Sequence, residues 1–570
     1  MKKKLPVIIA VVLIIVIIAI TAGTKILERF SYSKERMDLN AYYGLETGED
    51  VALVLNNEIK EEKGKLSEGR CYLDLDTVHE YLNDRFYADY NEGLLLYTTP
   101  DSIIRAEAGV SGEEGYIPAF LDNGIMYVAL DYVKKFTNFS FTLYQEPNRV
   151  VLTTIWNEHQ AAEIGKDTAV RYQGGVKSDI LTDMTAGDKV VILEEMENWS
   201  KVATEDGFLG YVENKRLKNQ HSETLIPVTD YQEPEYTSIR RDYKINLGWH
   251  QVTSESANST LESVLDGITG MNVISPTWFF LSDDDGNFVS IGSTDYVNKA
   301  HSRGLEVWAL LDNFTYDVNT KEILSYTSKR AKLIEGLVNE ALALGVDGIN
   351  VDLEQVSSEA GEDYVEFLRE LSISCRANNL VLSVDNYVPK NYNAHYDWKE
   401  QGKVADYVII MGYDEHFAGS PEAGPVSSYN FVKEGIEETL KEVPAEKVIS
   451  GIPFFTRLWS EAPKTEEELA SQAGTDAAEY TMNVDSQALG MTSASDQVAQ
   501  AGAEITWDDK AQQNYATWTV DNVTYEIWLE DEKSIEPKLQ LMKENKLAGT
   551  AAWALGQENP DIWNLILKYV

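Results

Sequence analysis

From Asp242 onward the chain repeats one rhythm. Eight apolar runs, KINLGWHQV, MNVISPTWFFL, LEVWALLD, DGINVDLE, VLSVDNYV, DYVIIMGYD, VISGIPFF and GTAAWALG, are mostly separated by helical patterns such as RAKLIEGLVNEALALG. A strand that is apolar along its whole length is buried on both faces, which is the mark of a parallel sheet covered by helices. Eight such units favour a closed (β/α)8 TIM barrel over an open doubly wound sheet. The span between the seventh and eighth runs, about residues 457–546, is too long for one helix. Within it NYATWTVDNVTYEIWLED reads as a hairpin, so an inserted α+β subdomain is expected there.

The barrel would occupy residues 242–570 of a 570-residue chain, which leaves room for smaller modules in front of it. At the N-terminus Lys2, Lys3 and Lys4 precede an uncharged stretch from Leu5 to Thr24. Its length matches a bilayer core, and the lysines orient it with the rest of the chain outside, so residues 1–25 read as a transmembrane signal anchor. A cleaved signal peptide, with the protein secreted, is the alternative, because Ala19, Thr21, Ala22 and Gly23 are small enough for a processing site. Residues 26–45 are polar and read as a juxtamembrane spacer.

A repeat follows. YLDLDTV from Tyr72 matches YVALDYV from Tyr127, and the LLYTT ending at Thr99 matches the VVLTT ending at Thr154, both at an offset of 55 residues. Each copy reads as a strand, a helix and two more strands, so residues 46–157 form a duplicated unit. It resembles the small duplicated domain called copper amine oxidase N-terminal-like, which carries no copper chemistry. Residues 163–218 have short β-rich runs broken by Gly and Asp turns, which predicts a small barrel. This stretch resembles a bacterial SH3 domain, with Trp199 and Tyr211 as aromatics that either contact the cell wall or pack the core. Residues 219–241, with Pro227 and Pro234, read as a linker.

The charge excludes one partner class. A net charge of -44 leaves no basic cluster to neutralise phosphates, so nucleic acid is not expected. Cys71 and Cys375 stand too far apart to found a disulfide framework, and the seven His residues show no metal-ligand spacing. Neither a metal nor another cofactor is expected.

The chemistry concentrates in GVDGINVDLEQV, where Asn350, Asp352 and Glu354 recur at two-residue spacing inside the fourth apolar run. On a strand they share one face, here the barrel interior, with Glu354 nearest the C-terminal mouth. Carboxylates buried without a cation are costly unless they are shared, hydrogen-bonded or used. Stacked acids also raise each other's pKa, so the upper one keeps its proton near neutral pH and can serve as a general acid.

DGINVDLE resembles the DGxDxDxE signature of glycoside hydrolase family 18, which includes chitinases and spore or cell-wall N-acetylglucosaminidases. Other segments fall in the family's order: LGWH at Leu247–His250 as strand one, MGYD at Met411–Asp414, GIPFFTRLW from Gly451 with Phe455 where Tyr is common, and Trp553 in GTAAWALG. The resemblance implies hydrolysis of β-linked N-acetylglucosamine polymers, peptidoglycan or chitin. Glu354, Asp352 and Tyr413 would be the catalytic residues, and Asn350, Met411, Asp414, Trp553 and Trp249 would bind substrate. Glu354 would protonate the glycosidic oxygen while the sugar's own acetamido group acts as nucleophile. Asp352 would orient that group, Tyr413 would bond its carbonyl, and Trp553 would floor the sugar.

Asn350 departs from the family, where many chitinases have Asp. Its amide could donate to Asp352, which leads one to expect a more permanently ionised Asp352. With Phe455, this departure keeps a lectin-like, non-cleaving surface protein open as the alternative. The partners expected are a glycan substrate, the cell wall through the SH3-like module and the membrane through the first helix, in a Gram-positive-type envelope.

Overall fold

The computed structural model describes residues 5–227, 231–472, 475 and 479–570, without the side chains of 5–7, 22–27 and 30. The chain divides into two compact units, residues 1–95 with 105–233, and residues 96–104 with 234–570.

In the first unit, Leu5–Phe30 form one helix. Among the described residues, however, no helix is long and apolar enough to cross a membrane. The expected anchor therefore finds no support among the described residues. The expected spacer is also corrected. Ser33 and Met37 donate backbone hydrogen bonds to Val176 and Ile180, and Arg36 forms a parallel bridge with Ile180. Tyr43 is 1% exposed, and its hydroxyl donates to the Gly207 carbonyl.

The duplicated stretch shows the expected order in both copies: Arg70–Asp74, Leu75–Tyr81, Phe86–Asp89 and Leu94–Thr98, then Ile125–Ala129, Leu130–Val133, Ser140–Tyr144 and Arg149–Thr153. The first strands of the copies pair antiparallel, Tyr72 with Ala129 and Asp74 with Tyr127. The 55-residue offset thus becomes a pseudo-twofold through Leu73 and Val128. The SH3-like barrel extends beyond its expected limits, because Glu158–Ile164 pairs with Leu217–Thr224 along an edge read in sequence as linker. Ala52 and Val54 of the duplicated part share one apolar cluster with Ala162, Val170, Val202 and Phe208 of the barrel. Modules this small bury little surface alone, and a common core supplies what each lacks.

The second unit contains the barrel. Its strands are β1 (Ile245–His250), β2 (Val273–Leu281), β3 (Glu306–Asp312), β4 (Gly348–Asp352), β5 (Val381–Tyr387), β6 (Tyr407–Met411), β7 (Val448–Pro453) and β8 (Gly549–Trp553). Neighbours pair in parallel around the ring, and β1 closes it by pairing with both β2 and β8. The eight apolar runs correspond one to one with these strands. Ile349 and Val351 of β4 are fully buried in one cluster with Leu382 of β5 and with Leu337 and Leu371 of the helical layer. Each such aliphatic side chain contributes about 1.5–3 kcal/mol by leaving water. Trp249, Leu310, Ile409 and Tyr413 fill a second cluster with Met411, on the residues that face into the ring.

The insertion is a five-stranded antiparallel sheet running from Phe455–Pro463 to Val523–Leu529. The expected hairpin is Gln513–Val520 against Val523–Leu529, and Asp521 and Asn522 turn it with φ of 48° and 65°. The insertion ends sooner than expected, because Glu532–Glu544 is a helix, N-capped by Asp531, whose Ile535 and Leu539 pack into the helical layer around the barrel.

Gly348 opens β4 where strands crowd. A Cβ there would stand 2.7 Å from the Val381 carbonyl oxygen and 2.9 Å from the Trp308 ring. Backbone on the neighbouring strand cannot yield as a flexible side chain can. Gly348→Ala is expected to destabilise the barrel by about 1–3 kcal/mol, seen as a lowered Tm in a thermal scan; an unchanged Tm would show that β4 and β5 separate freely.

Candidate active site

Alternation on β4 turns Ile349 and Val351 outward and Asn350 and Asp352 inward, and Glu354 follows two residues past Asp352 at the C-terminal mouth. Glu354 is held by its backbone. Its N–H donates to Asn313 Oδ1 at 2.9 Å, and Asn313 Nδ2 donates to its carbonyl at 2.8 Å. Gln355 follows with φ of 52°, and the Tyr396 hydroxyl, bonded to Val356 N–H and Leu353 O, anchors the turn.

The Glu354 carboxyl is half-buried and accepts a hydrogen bond from the Tyr387 hydroxyl of β5. Burial raises its pKa above the ordinary range, the Tyr387 hydroxyl pulls it down, and Asp414 and Asp312 push it up again. Asp352 is 4% exposed, and its Oδ1 has no hydrogen-bond partner among the described residues. Burial first, then the charges of Asp385, Glu354 and Asp312, hold its pKa well above the usual carboxylate range. The expected permanently ionised Asp352 is therefore overturned. No basic side chain contributes to its environment, and every charge acting on it is acidic.

Asn350 does not serve Asp352 either. Its Oδ1 accepts from the Trp249 indole N–H at 2.9 Å and from the Ser275 hydroxyl at 3.0 Å, which turns its NH2 toward Asp385 Oδ1 at 2.8 Å. Trp249 is 1% exposed and Asn350 is fully buried. Neither offers surface to a sugar, so both belong to the floor that orients the acids and not to the expected substrate contacts.

The other expected residues gather at the mouth. Tyr413 is buried edge-on against Phe455, with ring centroids 6.2 Å apart, and burial lifts its hydroxyl pKa well above normal. Met411 lies beneath it in the same cluster. Asp414 stands at the rim, where partial desolvation by its neighbours raises its pKa against the opposing charge of Arg457. Trp553 is half-buried, and its ring tilts at 59° over Trp249 with centroids 5.9 Å apart.

Sequence reading missed Asp312, Asn313, Asp385 and Tyr387. Asp312 ends β3 and accepts from the Thr315 hydroxyl at 2.9 Å and from the backbone N–H groups of Phe314 and Thr315. Ser383, Asp385 and Tyr387 recur at two-residue spacing in VLSVDNYV, so the alternation that singled out Glu354 would have found them on β5. A cavity of about 820 Å³ opens on Glu354, with the exposed rings of Phe314 and Tyr316 on its wall. Among the described residues no group of three or more His, Cys, Asp or Glu is disposed to hold a metal ion.

Parts of the chain match known proteins. Residues 279–558 match the model of the glycosyl hydrolases family 18, and residues 166–218 match the bacterial SH3 domain. The chain is 26% identical over 320 residues to the uncharacterized glycosylase YvbX of Bacillus subtilis (strain 168), covering 53% of this chain and 85% of that protein. It is 27% identical over 300 residues to the cortical fragment-lytic enzyme of the same organism, covering 50% of this chain and 65% of that protein. Among solved structures, a chitinase-like C-terminal domain from Desulfitobacterium hafniense DCB-2 superposes with a TM-score of 0.50 at 22% identity, covering 57% of this chain and 99% of that one, a likeness of fold.

The floor makes its own prediction. Trp249→Phe keeps the ring but leaves the buried Asn350 Oδ1 with Ser275 alone, and is expected to destabilise the barrel by about 1–3 kcal/mol. Thermal unfolding of the purified variant measures this, and an unchanged Tm would mean the indole N–H is dispensable.

Proposed function

We propose that residues 242–570 form a glycoside hydrolase that cleaves β-linked N-acetylglucosamine-containing polysaccharide, peptidoglycan before chitin, by substrate-assisted, retaining chemistry. The observation that carries this reading is the pair at the mouth: Glu354, a carboxyl whose pKa burial raises, and below it Asp352, whose buried Oδ1 lacks a hydrogen-bond partner among the described residues. Glu354 protonates the glycosidic oxygen as that bond breaks. The acetamido carbonyl oxygen of the same sugar bonds to the anomeric carbon, giving a cyclic oxazolinium. Asp352 Oδ1 accepts the acetamido N–H and faces the positive charge, and the Tyr413 hydroxyl donates to the acetamido carbonyl. Trp553 lies under the sugar ring. Water, deprotonated by Glu354 in its carboxylate form, then opens the oxazolinium and returns the original anomeric configuration.

The name of the cortical fragment-lytic enzyme favours peptidoglycan, as does a preceding SH3-like module whose Trp199 and Tyr211 are half-buried and able to touch a wall polymer. Location outside the cell, at or beyond the membrane surface, belongs to the same proposal, with the duplicated unit as its stalk. A second reading, a glycan-binding protein without turnover, is favoured by Asn350 and Phe455. Soluble chitooligosaccharide and purified peptidoglycan separate the two: hydrolysis with release of reducing ends supports the first, and binding without release supports the second.

Glu354→Gln is expected to lower hydrolysis by about 100-fold or more, read as reducing sugar released; equal rates in wild type and variant would remove Glu354 as the acid. Tyr387→Phe removes a donor that favours the Glu354 carboxylate, so its pKa rises further and the acid form survives to higher pH. The alkaline limb of the pH–kcat profile should move upward, and a downward shift would contradict the hydrogen bond's assigned direction.

A further inference from the structure

The steps above give no role to Asp385, a buried acid of the barrel. Asp385 is 2% exposed on β5. The register that sets Asn350 against Ser383 and Val351 against Val384 brings Asp352 level with Asp385, both facing inward on strands about 4.8 Å apart. Two carboxyls so placed in a dry site do not both ionise. Their surroundings decide which one carries the charge. Asn350, its carbonyl taken by Trp249 and Ser275, can turn only its NH2 to Asp385, whereas Asp352 Oδ1 receives no donor. The negative charge therefore rests on Asp385 and the proton on Asp352.

We propose that Asp385 is a positioning residue that acts as the proton partner of Asp352. The pair holds one proton, on Asp352 at rest, and that proton passes to Asp385 as positive charge builds on the sugar. Asp352 is thereby left anionic beside the forming oxazolinium, with no net gain or loss of protons by the pair. Asn350 makes this possible, because an acid in its place would add a negative charge at the same depth instead of a donor to Asp385. The other groups acting on the pair are Asp312 from β3, Glu354 after β4, Tyr364 from the helix Gly361–Ala377, and Tyr396 and Tyr413. None of them is basic. The inference rests on the glycosidase reading for its catalytic part, but the shared proton stands apart from it.

Asp385→Asn is nearly isosteric and still accepts from Asn350. On whichever glycan the wild type cleaves, its kcat should fall by about 10-fold or more with KM within about 2-fold. The double variant Asn350→Asp with Asp385→Asn, which returns an acid to the neighbouring site, should recover most of that loss. Unchanged kcat in the single variant, or no recovery in the double, overturns the proposal. Infrared titration of the carboxylic C=O stretch in the full chain reads the pair without substrate. The wild type should lose one buried acid proton above the ordinary carboxylate range, because burial and the neighbouring acids raise Asp352 and Asp385 together. In Asp385→Asn, which removes the neighbouring charge but leaves Asp352 buried, that step should move to lower pH, and the same step in both proteins overturns the proposal. If no glycan is cleaved by the wild type, the glycosidase reading fails, and the infrared step alone decides whether the acids share a proton.

Discussion

The hydrogen bond from the Trp249 indole to Asn350 Oδ1 sets the direction of the polar groups stacked above it. An amide can present either end to a neighbour, and here one end is fixed by an indole that can only donate. The NH2 is left for Asp385, and the site acquires an order: a donor beneath Asp385, none beneath Asp352, and a tyrosine hydroxyl on Glu354. In a low-dielectric interior such differences in hydrogen bonding decide which of several equivalent acids is charged.

That order has a thermodynamic consequence for the barrel. Burial and the neighbouring acids raise the pKa values of Asp352 and Asp385, so above the ordinary carboxylate range the folded chain still holds a proton that the unfolded chain has released. Stability therefore falls as pH rises until the folded chain too has lost that proton, and is flat beyond. The fold tolerates this because the acids sit at the ends of strands whose other residues are buried in two apolar clusters, inside the ring and under the helices. A closed ring has no edge that could open to relieve the crowding, and the acids stay in place.

The N-terminal unit solves a different problem. Two copies of a small β–α–β–β motif pair through equivalent strands, and the SH3-like barrel shares its apolar core with them. Residues 33–37, polar enough to read as a spacer, add to an edge of that barrel through backbone bonds. Backbone pairing requires no particular side chains, which is why composition misread them.

Much of the barrel half was legible in the chain itself. Eight apolar runs became eight parallel strands, because a strand buried on both faces must be apolar throughout. The two-residue spacing of Asn350, Asp352 and Glu354 placed them on one face, because side-chain alternation is a property of the strand alone. The partners of those residues were not legible. Asn350 bonds to β1, β2 and β5 at sequence separations of 101, 75 and 35 residues. Only ring closure, which brings β1 beside β2 and β8, decides that Trp249 is floor and not sugar platform. Sequence by itself determined the strands and the acids of β4, which depend on local periodicity. Tertiary structure decided which acid is hydrogen-bonded and which is bare, because that depends on strands meeting across the barrel.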